Sequence, residues 1–199
     1  MSESALIAFY RGEGRDHRGR LLSHIHQYSF DSLERHHDYI QWLFPLQEPS
    51  AANPDAPLLT SSDIAAFAAD ESLRAALLRS FRRMLEFYSL ELVEDGDTVT
   101  VTQGDFFDEY SRIWLTPGNH NFLRISRMLR SMSLLGLNEY ARAFLTQLEE
   151  IYADHESIIG ATTLGYWRRA AIAIERLRSE QLNTLNTTAR RARRHDEIV

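Results

Sequence analysis

The 199-residue chain contains no cysteine. That removes thiol catalysis, disulfides and cysteine-ligated zinc or iron–sulfur centres. Lysine is absent too, and all 22 basic residues are arginine, so neither a Schiff-base lysine nor a phosphate-loop lysine is available. The arginine-only usage reads as the codon bias of a GC-rich, bacterial-type genome. Long apolar runs are also missing: none approaches the roughly 20 residues that a bilayer-spanning helix needs. The N-terminus "MSESALIAFYRGEGRDHRG" lacks the order of basic and then apolar residues found in a secretory signal. A soluble cytoplasmic protein without a transmembrane segment is expected. No G-x-S-x-G, P-loop, G-x-G-x-x-G or H-E-x-x-H pattern occurs, and no cofactor is expected.

What is present fits one globular domain. The chain is 44% hydrophobic and 25% charged, an ordinary soluble composition, and its length allows a core that buries roughly 70% of the unfolded surface. The net charge of −6 is uneven. Residues 1–159 carry 14 Arg against 24 acids, whereas residues 160–199 carry 8 Arg against 4. Half of that late arginine is Arg190, Arg191, Arg193 and Arg194. Four arginines on an acidic protein are a weak nucleic-acid signal. The expected organisation is a domain over 1–185 and a flexible basic tail over 186–199.

The hydrophobic period predicts an all-α fold, a single compact domain of about seven or eight helices. "RGEGRDHRGR" at 11–20 reads as a loop and "LLSHIHQYS" as a short helix. Asp31 and Glu34 suggest a capping box opening one helix, with Leu33, His37, Ile40 and Phe44 along its inner stripe until Pro45 ends it. The four prolines of "PLQEPSAANPDAP" at 45–57 make an extended, stiff loop. Thr60 with Asp63 marks a second capping box, and Asp70 caps an amphipathic helix through Tyr88. Asp95-Gly96 followed by "TVTVT" admits a short β-hairpin near 90–102. "GDFFDEYSRIWL" reads as a helix. Asn119 and Asn138 then cap two longer ones, with Gly136 as a C′ signal between them, and "TLGYWRRAAIAIERLRSEQ" closes the series.

Two stretches concentrate polar groups. "LERHHDYIQWLFP" at 33–45 holds His37, Asp38, Tyr39 and Trp42 on a helix apolar nearly all round, which reads first as core. "NHNFLRISR" at 119–127 holds Asn119, His120, Asn121, Arg124 and Arg127 at a helix start, where N–H groups and arginines can hold an anion. The histidine pairs 24/26 and 36/37 lack the i, i+3 or i, i+4 spacing of helical metal ligands, so no metal is expected. A carboxylate on an apolar helix needs a donor. The expectation is that the two stretches pack side by side with Asp38 facing Arg124.

These stretches, with "FYRG" at 9–12, "APLLT" at 56–60, "RMLEFYSL" at 83–90, "NHNFLRISRMLRSMSLLGL" at 119–137 and "YWRRA" at 166–170, resemble the conserved N-terminal domain of the opioid growth factor receptor family. Their order and spacing run over residues 6–175. The resemblance implies a receptor-like module. The animal receptors are named for binding a small opioid peptide, Met-enkephalin, and no enzymatic activity is implied. Two functions follow as expectations. The first is a non-enzymatic module binding an unknown peptide or small ligand through His37, Asp38, Tyr39, Trp42, Asn119, His120, Asn121, Arg124 and Arg127. The second is an enzyme using the His/Asp/Arg cluster of His37, Asp38, His120 and Arg124.

Overall fold

Some helix starts in this chain are written locally, in a side chain that caps its own first turn. The computed structural model describes residues 3–171. The tail arginines Arg190, Arg191, Arg193 and Arg194, and the expected domain boundary near 185, lie outside the described residues. Ser4 accepts from the Ile7 amide and opens α1 (Ala5–Tyr10). A loop leads to α2 (Leu22–His26), then α3 (Phe30–Arg35) and α4 (Ile40–Leu43). Thr60 and Asp63 form the reciprocal box that starts α5 (Ser61–Ala69). Asp70 caps α6 (Glu71–Phe87) through the Ser72 amide.

Strands β1 (Leu90–Asp95) and β2 (Thr98–Gln103) pair antiparallel, with Asp95 opposite Thr98. Gly96 takes φ +57° at the first position of the two-residue turn, where a tight hairpin demands a residue free of Cβ. Next come α7 (Phe107–Tyr110), a 3₁₀ turn (Ser111–Ile113), α8 (Asn121–Leu134) and α9 (Asn138–Ile159). Gly136 at φ +91° ends α8, and the Leu137 amide reaches back to the Met132 carbonyl at 2.8 Å, a Schellman closure. A last helix, α10, occupies 161–171.

The mainly helical expectation stands, but the count of seven or eight is low: nine α-helices and a 3₁₀ turn precede residue 160. The excess lies in short pieces. Residues 33–44 are not one helix. His36 is extended at φ −90°, ψ 132°, and α3 and α4 are separate turns. Ser29, not Asp31, caps α3 by accepting from the Ser32 amide. Asn119 and Asn138 each sit one place off the cap position. Asn119 Oδ1 still accepts from the Asn121 amide at 2.9 Å, while Asn138 is the first residue of α9 and Leu137 precedes it.

The core runs from α1 through α6 to α8 and α9. The hairpin packs on α6 and α9, which gives a two-stranded ribbon the support it needs. Trp114 and Trp167 are fully buried, and each indole N–H is satisfied by a backbone carbonyl, Tyr88 O at 3.2 Å and Phe122 O at 3.0 Å. No helix among the described residues is long and apolar enough to cross a membrane.

One buried polar pair sets an acid limit on the fold. His26 Nε2 lies 2.9 Å from Ser80 Oγ, and the Ser80 hydroxyl is spent on the Ala76 carbonyl, so the imidazole is the donor. Burial, with Arg79 and Arg83 nearby, lowers the His26 pKa from 6.5 to about 4. The unfolded chain therefore binds a proton here that the folded chain refuses. Stability present above pH 6.5 is lost as pH falls towards 4, by about 2–3 kcal/mol. Urea unfolding of His26→Gln should be flatter than wild type across that window, and parallel curves would refute the assignment.

Candidate functional site

The two polar stretches do pack together, through the backbone. A helix of six residues leaves its last carbonyls without intrahelical donors. At the end of α3 these are answered from α8. Arg124 Nη1 donates to Leu33 O at 3.0 Å, and Nη2 donates to His36 O at 2.8 Å and Glu34 O at 3.3 Å. One turn further along α8, Arg127 Nη1 donates to Phe44 O at 3.1 Å, at the end of α4. Cations belong at helix C-termini, and here a neighbouring helix supplies them. Asn121, fully buried, joins the same network. Its Oδ1 accepts from Arg124 at 3.1 Å and Tyr88 at 3.3 Å, and its Nδ2 donates to Glu34 at 3.0 Å.

Asp38 does not face Arg124. It is held by Arg20 at 2.9 Å and Arg18 at 3.0 Å, both from the loop at 11–20, with His17 Nε2 at 3.7 Å. Burial acts to raise the Asp38 pKa, and the Arg20 and Arg18 hydrogen bonds and charges outweigh it, leaving the carboxyl below its ordinary range. Two features misled the sequence reading: that loop looked free, and a helix through residue 37 would have turned Asp38 inward.

Of the nine candidate residues, four border a common open space. His37, His120, Arg124 and Arg127 line a cleft of about 830 Å³, a size ordinary for small-molecule sites. Tyr39 and Trp42 are core, 0% and 4% exposed. Asp38, Asn119 and Asn121 point to structural partners instead. The sequence reading missed the rest of the lining, above all Gln41, Ser50, Arg130, Tyr166 and Arg169. "YWRRA" at 166–170 was the available signal, because it is one of the family stretches and joins an aromatic to two arginines. The proline-rich loop forms one wall. It is tied down by Asn53 Nδ2 donating to Asp38 O at 2.7 Å and by Leu59 N donating to Leu46 O at 3.0 Å.

The electrostatics of this cleft are one-sided. Among the described residues no Asp or Glu lines it, although the chain as a whole is acidic. His37 and His120 stack with centroids 4.7 Å apart. His120 Nε2 is buried, 3.5 Å from Glu34 Oε1, and makes no hydrogen bond. Burial and Arg124, aided by His37 and opposed by Glu34, lower its pKa, so the ring is neutral near pH 7. Burial likewise draws down the Arg127 pKa, with Glu48 opposing and Arg130 reinforcing. Arg130 is paired with Glu48 at the rim. Arg169 lies over the Tyr166 ring at 4.8 Å. Among the described residues no three His, Asp or Glu side chains converge as a metal-binding set.

These features define a mainly α-helical domain with one hairpin and an open cleft of cationic and apolar character. The chain belongs to the opioid growth factor receptor family, whose conserved-region model matches residues 5–194. It is 39% identical to the opioid growth factor receptor of Mus musculus over 129 residues, 64% of this chain and 20% of that protein. Identity is 37% to the Homo sapiens receptor over 138 residues, 67% of this chain and 20% of that protein. The Mus musculus opioid growth factor receptor-like protein 1 is 33% identical over 111 residues, 56% of this chain and 23% of that protein. The matched region is thus about a fifth of each of these three relatives' length. No solved structure matches the chain significantly.

Proposed function

We propose that this domain is a non-enzymatic binding module and that its ligand, a peptide or small molecule, seats in the cleft between the loop at 45–57, α8 and α10. The observation that carries the reading is a ligand-sized cleft that brings together side chains from three family stretches and, among the described residues, contains no catalytic set. Its two serine hydroxyls are engaged, Ser126 with the Phe122 carbonyl and Ser50 with Gln41 Nε2 at 3.4 Å. The carboxylate that an acid–base mechanism would draw on, Asp38, is held by arginines of the loop at 11–20. The relatives' name of receptor agrees with a binding role. One observation favours the enzyme alternative: His120 at the cleft lies 3.5 Å from the Glu34 carboxylate, a neighbour that can orient a general base.

A single experiment separates these. The full chain and Leu123→Glu are exposed to a peptide-containing cell extract, washed, and denatured, and released molecules are read by mass spectrometry. Leu123 is 73% exposed at the cleft, so the variant folds and fills the cationic space with a carboxylate. A ligand released unaltered from wild type and absent from Leu123→Glu is expected. An extract component converted to a new mass, with conversion lost in His120→Gln, would establish the enzyme instead. Identical capture by both proteins would remove the cleft from consideration.

A further inference from the structure

We propose that the cleft selects a small amphipathic anion, a single phosphate or carboxylate head on an apolar body, with Arg127, Arg130 and Arg169 gripping the head. The inference rests on reading the cleft as a ligand site and adds the chemistry of what enters it.

Four guanidinium groups line the cleft: Arg124, Arg127, Arg130 and Arg169. Arg124 is consumed by the α3 carbonyls, with Glu34 nearby at 3.8 Å. Arg127 donates to one carbonyl, which satisfies an N–H without neutralising the charge. Arg169 rests on Tyr166. Among the described residues, no carboxylate stands at ion-pair distance from Arg127 or Arg169. The pKa of Arg127 is lowered first by burial, and Glu48 offsets this only in part, which agrees with a charge that an anion would further compensate. A guanidinium is the side chain best matched to a planar or tetrahedral oxyanion, since it can donate two parallel hydrogen bonds.

Arg130 already shows the interaction. Its partner is the Glu48 carboxylate from the proline-rich loop, which serves as an internal counter-ion at the mouth of the cleft. An entering anion competes with Glu48 for Arg130. Removing the Glu48 charge therefore strengthens ligand binding, whereas removing an arginine weakens it. A purely structural role for these residues does not give opposite signs.

The body of the ligand follows from the remaining lining. Leu123 and Tyr166, 73% and 54% exposed, are large apolar side chains bordering the cleft, and Ile40, Leu46 and Ala170 extend the surface inward. An inorganic ion would leave that surface wet. Gln41, 4% exposed, has a buried Oε1 with no hydrogen-bond partner. With its Nε2 turned to Ser50, the orphan oxygen offers a ligand N–H or O–H an acceptor. Buried polar atoms are normally paired, and a ligand donor reaching Gln41 would pair this one.

The test uses the full chain and four matched probes: hexyl phosphate, hexanoate, 1-hexanol and inorganic phosphate. Binding is followed by NMR through arginine Nε–Hε and Gln41 side-chain resonances. At least one of the two hexyl anions should bind about tenfold tighter than both 1-hexanol and inorganic phosphate, and the tighter of the two identifies the head group. Arg169→Gln should weaken it by about tenfold, the effect of one charge-assisted contact. Arg169 is exposed, so this variant is expected to keep the wild-type melting temperature. Glu48→Gln should tighten binding. Equal binding of 1-hexanol would overturn the anion selectivity while leaving the binding-module reading intact. Unchanged affinity in both Arg169→Gln and Glu48→Gln would place the anion elsewhere. If no probe perturbs the cleft, the inference fails, and the extract experiment decides the module reading on its own.

Discussion

Arg124→Met should lower folding stability by about 3–5 kcal/mol, although Arg124 is a charged residue and its replacement a good helix former. The guanidinium is 5% exposed and donates to three carbonyls at the end of α3 and to Asn121. Methionine fills much of the volume and returns none of the donors. Each stranded buried acceptor costs about 1–3 kcal/mol, and Asn121 and Glu34 lose their organising cation as well. The guanidinium also lies 5.5 Å from the Tyr39 ring centroid, a smaller contribution. Arg124→Lys should recover little, because one ammonium cannot span carbonyls that a planar fork reaches together. Arg127→Met should cost only about 1 kcal/mol, since a single carbonyl depends on it. Urea midpoints for the three variants supply the check. A loss below about 1 kcal/mol for Arg124→Met would mean that α3 holds its end without α8.

That arrangement explains which parts of the fold were legible in the sequence. Thr60 with Asp63, Asp70, and Gly136 act within four residues of themselves, so their chemistry can be read from the chain alone. The same is true of Asp95-Gly96. The break at 36–39 is different. The apolar period runs unbroken through Leu33, His37, Ile40 and Phe44, and a continuous helix satisfies every local rule. Two short helices occur because Arg124 answers the carbonyls that the break exposes, at sequence separations of 88 to 91 residues, while Arg127 answers Phe44 O where the second helix ends. Non-local capping leaves no trace in a periodicity.

The cleft was half legible for the same reason. His37, His120, Arg124 and Arg127 stood out as polar groups in apolar motifs. Tyr166 and Arg169 looked like an ordinary helix face until α10 placed them opposite. Asp38 does need a donor, as a carboxylate beside apolar neighbours must. The donor came from Arg18 and Arg20, in a glycine-rich, charged stretch whose composition marks a loop and says nothing about where the loop is fastened.

The fastening point is Trp42, and Trp42→Ala is the second large expected loss, about 3–5 kcal/mol for an indole taken from a packed core. The ring is 4% exposed. Phe9 of α1 meets it edge-on at 5.1 Å between centroids, and His17 stacks over it at 6.3 Å. Its N–H donates to His17 Nδ1 at 3.1 Å, which leaves the His17 Nε2–H directed towards Asp38. Trp42 thus joins α4 to α1 by packing and to the loop at 11–20 by a hydrogen bond. The two contributions separate by substitution. Trp42→Phe keeps an aromatic ring against Phe9 and removes only the donor and part of the volume, so it should cost roughly half as much as alanine. It should also release His17, and with it the grip of Arg18 and Arg20 on Asp38. Hydrogen exchange at the amides of Arg18 and Arg20, both donors to Asp16, is the sensitive readout. Faster exchange there in Trp42→Phe, with the α6 amides still protected, is expected. A Trp42→Ala protein melting with wild type would place the indole outside the core and return it to the candidates for ligand contact.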